Sequence, residues 1–253
     1  MDGGATAGVS CFSVDYNKGL TASGSLRPFP KNIFSQTTPP AGPPLTASEL
    51  IFSPDNSALF AILKGSPATT PVTPGHIVSY AVDNGQVSDT GVDNAFTDLP
   101  LAFGAVFINT TSLFIGDPSF GAAILDTSNP AQITIAVSTK EPTQKAICWV
   151  QYDASLQSAY AIDAAQPVVY VLDSVTGAAD GEIRGSSSLR GFFDMSILDG
   201  YMYGLTAVNG LVVIDLSTQQ EVQFLNLSAF GSRQGYDGFA VWSPGNAKWT
   251  GGW

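Results

Sequence analysis

Five short stretches alternate apolar with small or polar residues, and each closes on an aspartate. They are Cys11-Phe12-Ser13-Val14-Asp15, Val78-Ser79-Tyr80-Ala81-Val82-Asp83, Ala122-Ala123-Ile124-Leu125-Asp126, Val169-Tyr170-Val171-Leu172-Asp173 and Val212-Val213-Ile214-Asp215. Alternation with a period of two is the signature of a β-strand. The last four aspartates lie 43, 47 and 42 residues apart. That spacing matches the ~40–45-residue period of a four-stranded propeller blade. The first gap is 68 residues, and the excess lies in Pro-rich insertions around Pro39–Pro44 and Pro67–Pro74.

Before each of the last four copies stands a strand, a turn and a second strand. Leu50-Ile51-Phe52 leads through Ser53-Pro54-Asp55-Asn56 into Leu59–Leu63, and Ala105–Ile108 through Asn109–Ser112 into Leu113–Gly116. Cys148–Gln151 leads through Asp153–Gln157 into Ala159–Ile162, and Phe193–Leu198 through Asp199-Gly200 into Tyr201–Leu205. Proline presets φ at such turns, and Asn or Gly tolerates positive φ. A fourth strand is expected after each aspartate, at Gln86–Thr90, Ile133–Val137, Glu182–Arg184 and Glu221–Phe224. A lone sheet of this kind has two apolar faces, and stacking around an axis buries both.

The pattern therefore predicts an all-β chain, a β-propeller with four complete four-stranded blades (45–92, 100–140, 145–186 and 190–228) and a half blade at each end (8–30 and 236–253). The first half blade reads as a third strand (Val9–Asp15) and a fourth (Thr21–Leu26). The last reads as a first strand, Gly238–Trp242, with a turn at Ser243-Pro244-Gly245-Asn246 and a poor second strand around Lys248-Trp249. Joined, the two halves give five blades. Unjoined, they leave an incomplete ring with exposed blade faces through which copies self-associate.

Composition agrees: 12% charged and 44% hydrophobic residues, with 26 Gly and 16 Pro, suit short strands and frequent reversals. The net charge of −11, with 10 Lys and Arg in no cluster, argues against a nucleic-acid partner. No apolar run reaches the length of a membrane span. No basic and apolar leader precedes the first strand. Asn109-Thr110-Thr111 and Asn226-Leu227-Ser228 are N-glycosylation candidates if the chain is secreted. Cys11 and Cys148 have no CxxC partner, so neither zinc nor any other cofactor is expected, while a disulfide between them stays open.

Candidate chemistry is sparse. The recurrent aspartates read as turn caps, because they recur on every blade whereas a ligand site would be singular. The one histidine, His76, is a catalytic candidate if its long loop folds over the mouth, and otherwise a solvated loop residue. Arg184, Arg190 and Arg233 are the cations of interest. Arg190 and Arg233 occupy equivalent places after the third and fourth blades, where two guanidiniums could grip one carboxylate. Asp117 reads as a turn residue. No GxSxG, HExxH, Walker or Rossmann motif is present.

Gly8-Val9-Ser10-Cys11-Phe12-Ser13-Val14-Asp15, Thr37-Thr38-Pro39-Pro40-Ala41-Gly42-Pro43, Ile51-Phe52-Ser53-Pro54-Asp55 and Ala146-Ile147-Cys148-Trp149 resemble, in this order, the fungal secreted propellers called 3-carboxymuconate cyclases. That group is related to the seven-bladed lactonases, among them the 6-phosphogluconolactonase-like proteins. The resemblance implies an extracellular setting, a small carboxylated ring as ligand, with a carbohydrate as the other candidate, and an N-terminally truncated chain or diverged short form in which Cys11 has lost a partner or is a buried free thiol. Relatives carry a histidine just before the Phe-Ser-Pro-Asp strand, and here Glu49 stands in its place. Glu49, His76, Arg190 and Arg233 are thus the candidate catalytic residues. Two functions remain open: a lactonase or cycloisomerase, and a non-catalytic extracellular or cell-surface binding module.

Overall fold

The computed structural model describes residues 1–30, 33–236 and 238–242. The chain opens as a bent two-stranded ribbon. β1 (Gly8–Val9) pairs with β4 (Arg27–Pro28), and β2 (Phe12–Asp15) with β3 (Gly19–Ala22). Four antiparallel sheets follow. Blade I contains β5 (Ala47–Phe52), β6 (Ala58–Leu63), β7 (Gly75–Asp83), β8 (Gln86–Val87) and β9 (Val92–Phe96). Blade II contains β10 (Ala105–Phe107), β11 (Ser112–Asp117), β12 (Gly121–Asp126) and β13 (Thr134–Lys140). Blade III contains β14 (Ile147–Asp153), β15 (Ser158–Asp163), β16 (Val168–Asp173) and β17 (Ala179–Arg184). Blade IV contains β18 (Phe192–Leu198), β19 (Tyr201–Thr206), β20 (Gly210–Asp215) and β21 (Gln220–Asn226). Each sheet runs up and down in sequence order, the all-β propeller arrangement read from the repeat. Among the described residues the only helical turns are two short 3-10 segments, Ser187–Leu189 and Arg233–Gly235.

Blades stack through both faces. Phe60, Ile62 and Ile77 of blade I pack against Leu113, Ile115 and Leu125 of blade II. The other side of blade II, Phe114, Ala122 and Ile124, meets Ala159, Ala161 and Tyr170 of blade III. Tyr160, Ile162 and Val171 then meet Met202, Val212 and Ile214 of blade IV. Alternate residues of one strand thus serve two neighbours, which is why β6 is buried throughout. At the end of the stack β20 alternates buried and half-buried instead, with Val212 and Ile214 turned to blade III and Leu211 and Val213 turned away. At the other end, Val9 and Phe29 of the ribbon base pack on Leu59, Ala61 and Tyr80. Its tip leaves Phe12, Val14 and Leu20 exposed.

First strands form the hub. Neighbouring blades meet through β5 and β10, β10 and β14, and β14 and β18. Fourth strands form the exposed periphery, with β21 exposed along its whole length.

The strand-ending aspartates cap turns. Asp173 Oδ1 accepts from the backbone of Val175 and Thr176 and from the Thr176 hydroxyl, and Asp215 Oδ1 does the same with Ser217 and Thr218. These bonds, led by the Thr176 N–H for Asp173 and by the Ser217 hydroxyl for Asp215, hold both carboxyls below their ordinary range. Asp126 accepts from Ser128 N–H in the same way. Asp83 differs, because Asn84 and Gly85 both take positive φ and make the reversal themselves.

Three expectations need correction. The fourth strand of blade I is not Gln86–Thr90: β8 is two residues long, and Val92–Phe96 pairs with Gly75–Ser79 instead. The cause is the length of β7, nine residues, which leaves its first half unpaired by β8. The strand expected at Val9–Asp15 breaks in two, and of that expected at Thr21–Leu26 only Thr21-Ala22 is strand, the next beginning at Arg27, as the ribbon register shifts between Val9↔Arg27 and Phe12↔Ala22. Residues 238–242 form no strand, and Phe239 N–H is bonded to the Asp194 carboxylate rather than to a ladder. The turn at Ser243–Asn246 and the strand at Lys248-Trp249 lie outside the described residues, so the five-bladed closure is not seen among them. Cys11 and Cys148 are both free thiols.

Two fully buried aspartates end second strands. Asp117 accepts from Leu101 N, Ser119 N and Ser119 Oγ. Asp163 accepts from Lys145 N, Ala146 N, Ala165 N and Gln166 Nε2. Each ties the turn after its strand to the loop that enters its own blade. Asp163→Ala strands these donors without solvent, so a loss of about 3 kcal/mol or more is expected in urea unfolding. Asp173→Ala, at an exposed turn, should cost clearly less in the same measurement.

Candidate functional site

Two pairs of ionisable groups shifted by burial lie along the hub, Glu49 with Asp194 and Lys64 with Cys148. Glu49 sits on β5, and its Oε2 accepts from Ala105 N–H of blade II at 2.5 Å. Beside it the Ser48 hydroxyl donates to Phe103 O at 2.9 Å. Blade II is joined to blade III by Gly104 N–H to Cys148 O at 2.8 Å. A Cβ on Gly104 would lie 2.5 Å from the Trp149 ring, so this close approach requires glycine. Gln151 Nε2 reaches Met195 O of blade IV at 3.4 Å.

Desolvation in this setting pushes the Glu49 carboxyl up to about 8, against the Ala105 hydrogen bond that lowers it and with some repulsion from Asp194. Asp194, on β18, is also raised, chiefly by burial, although Phe239 and Met195 N–H both donate to it. Lys64 follows β6 and is buried, with Nζ 3.9 Å from the centre of the Phe103 ring. Phe103 stands edge-on to Trp149 with centroids 5.3 Å apart. Burial lowers Lys64 to about 8, partly offset by Cys148, and raises the Cys148 thiol to about 12. At neutral pH the hub thus holds a protonated Glu49, able to donate a proton, and an ammonium over an aromatic face.

The other sequence candidates lie elsewhere. His76 is not a solvated loop residue: it lies buried within β7, and its Nδ1 is 2.8 Å from Asp93 Oδ1 on β9. The cause is again the long β7, which pairs His76 between β6 and β9, two strands away from Glu49 in the sheet. Arg233 donates from Nε to Thr206 O at 2.9 Å and from Nη1 to Tyr236 O, and lies 4.4 Å from the Phe193 ring centre. Arg190 ends the first 3-10 turn with φ 65°, exposed. Both arginines flank the turn after β19, since Ala207 N–H bonds to Gly191 O beside Arg190. Only Arg190 keeps its guanidinium free of the described residues. Arg184 pairs with Glu182 on the periphery. Asn109 and Asn226 are exposed, each carbonyl accepting from a turn or loop N–H.

Among the described residues no group of three or more His, Cys, Asp or Glu is placed to hold a metal ion. No helix among them is long and apolar enough to cross a membrane. Lys64, Asp194 and Cys148 were missed as a group by sequence reasoning. The available signal was an acid inside an apolar first strand, shared by Ser48-Glu49-Leu50 and Phe193-Asp194-Met195.

Glu49 binds its proton more tightly when folded, so its contribution to stability is complete below pH 4.5 and is lost as pH rises toward 8. Glu49→Gln removes the titration and keeps an acceptor for Ala105 N–H. The variant should melt a few degrees above wild type at pH 8, the gap closing toward pH 5, in paired thermal scans.

No protein-family model matches the chain, and no curated protein matches it. A chain of a crystallised mitotic checkpoint complex superposes with a TM-score of 0.58 at 9% sequence identity, over 86% of this chain and 58% of that one. This chain thus spans little more than half the length of the structure it matches. At that identity the likeness is one of fold, a β-propeller.

Proposed function

We propose that this chain is a non-catalytic, extracellular binding propeller of lactonase-like descent. One observation carries the reading: the groups needed for lactone chemistry are separately committed. Glu49 holds Ala105 N–H, His76 holds Asp93, and Arg233 holds Thr206 O and Tyr236 O. Among the described residues, Glu49, His76 and the two arginines do not converge on one space. Two rim cavities, of about 420 and 490 Å3, are lined by none of Glu49, His76, Arg190 or Arg233. The descent rests on the sequence resemblance, and the extracellular setting on that resemblance and the exposed sequons. The similar chain belongs to a crystallised protein complex, which favours a partner-binding role. The apolar tip of the ribbon and the outer face of blade IV are surfaces on which a partner or a second copy would pack.

The second reading, a lactonase or cycloisomerase acting on a small carboxylated ring, is favoured by Glu49 alone, an acid that keeps its proton near neutrality. A lactone-hydrolysis assay on folded wild type, Glu49→Gln and Arg190→Ala separates the two. The expected result is no turnover above the uncatalysed rate in all three. Turnover by wild type that either substitution removes would replace the binding reading with the enzymatic one.

A further inference from the structure

The rim cavity of about 420 Å3 is built on blade IV, from the 3-10 turn that enters it, the loop before β20, and β21 with the residues after it. Its lining includes Ser188, Leu189, Asn209, Glu221, Phe224 and Asn226. The size falls in the range of small-ligand sites, and the wall mixes one aromatic ring with uncharged hydrogen-bonding groups and a single carboxylate.

Phe224 is held as a platform. It pairs with Val212 across the β20–β21 ladder, and a Cβ on the neighbouring Gly210 would lie 2.3 Å from the Phe224 Cζ. The ring therefore rests on glycine backbone, and 41% of the residue remains exposed. Asn226, two residues on, shares its face of β21.

Polar groups around this ring have unused capacity. Asn209 Nδ2 donates to Gly231 O at 2.6 Å, which fixes the amide as part of the wall, its Oδ1 buried out of a ligand's reach. Glu221 Oε2 accepts from Ser186 N–H, and its second oxygen has no partner among the described residues. Asn226 Oδ1 accepts from Ser228 N–H, leaving its Nδ2 free. A hydroxyl-rich ligand supplies a donor to Glu221 and an acceptor to Asn226. An apolar C–H face would cover Phe224.

We propose that this cavity binds a pyranose sugar, its C–H face stacked on Phe224 and its hydroxyls bonded to Glu221 and, for a free saccharide, to Asn226 Nδ2. The site deepens the binding reading and rests on it. Two sources supply the same chemistry: a free saccharide, or the first sugar of a glycan on Asn226 itself, whose sequon is Asn226-Leu227-Ser228.

The test is saturation-transfer NMR with methyl N-acetyl-β-glucosaminide on bacterially produced, unglycosylated chain. Transfer to the sugar ring protons is expected in wild type, lost in Phe224→Ala and retained in Phe224→Tyr, with far-UV circular dichroism showing both variants folded. No transfer in wild type, or transfer undiminished in folded Phe224→Ala, overturns the proposal. A second arm uses chain secreted from a eukaryotic host, with mass spectrometry reporting occupancy of Asn226. Transfer blocked by the glycan and restored by its enzymatic removal assigns the site to the chain's own sugar, and transfer that persists assigns it to free saccharide. The proposal can fail while the binding reading stands, because that reading falls only to lactone turnover.

Discussion

Packing of sheet on sheet governs this molecule. A four-stranded antiparallel sheet whose two faces are both apolar is unstable in water, and each blade here is stabilised by its neighbours. Burial of each large side chain contributes about 1.5–3 kcal/mol, so stacking three interfaces is the dominant favourable term. The burial pattern records position in the stack. β6, β12 and β16, each with a blade or ribbon on both sides, are buried along almost their whole length, whereas β20 is buried on alternate residues only.

The same constraint explains the polar chemistry. Close approach of blades at the hub takes polar atoms out of water, and each must find a partner across the seam. Glu49 to Ala105, Ser48 to Phe103, Gly104 to Cys148 and Gln151 to Met195 serve that need. The raised Glu49 and Asp194 and the lowered Lys64 are consequences of the seam. Perturbed groups often mark catalysis, but structural networks perturb them equally well. Here the hydrogen-bond partners belong to the scaffold. On the rim, Phe224 and its polar neighbours are not consumed by blade packing, and the proposed sugar site draws on them.

Much of the architecture was legible because it depends on local pattern. The alternating strands ending in Asp126, Asp173 and Asp215 specify both the ladder and its turn within a few residues, so blades II, III and IV lie where the period puts them. Blade I was read less well. Asn84-Gly85 signals a hairpin, yet nothing in Gln86–Thr90 tells that β7 continues far enough back to take Val92–Phe96 as its main partner. His76 was misplaced for the same reason, since its burial beside Asp93 comes from a strand pairing rather than from its own neighbours in sequence.

By itself, the sequence determined the strand period, the turn chemistry and the two-faced strands that require stacking, because each is encoded within one or two strands of its neighbours. Only the tertiary structure decided which polar groups meet. Asn94 joins Ile133 across a blade boundary, Glu49 comes within electrostatic range of Asp194 from blades I and IV, and Asn209, Phe224 and Asn226 close around one cavity. The first two pairs are brought together by blade stacking and the last group by one strand pairing, not by any motif spacing. A partner on another blade leaves no periodic trace in the chain, so its identity emerges when packing fixes the distance.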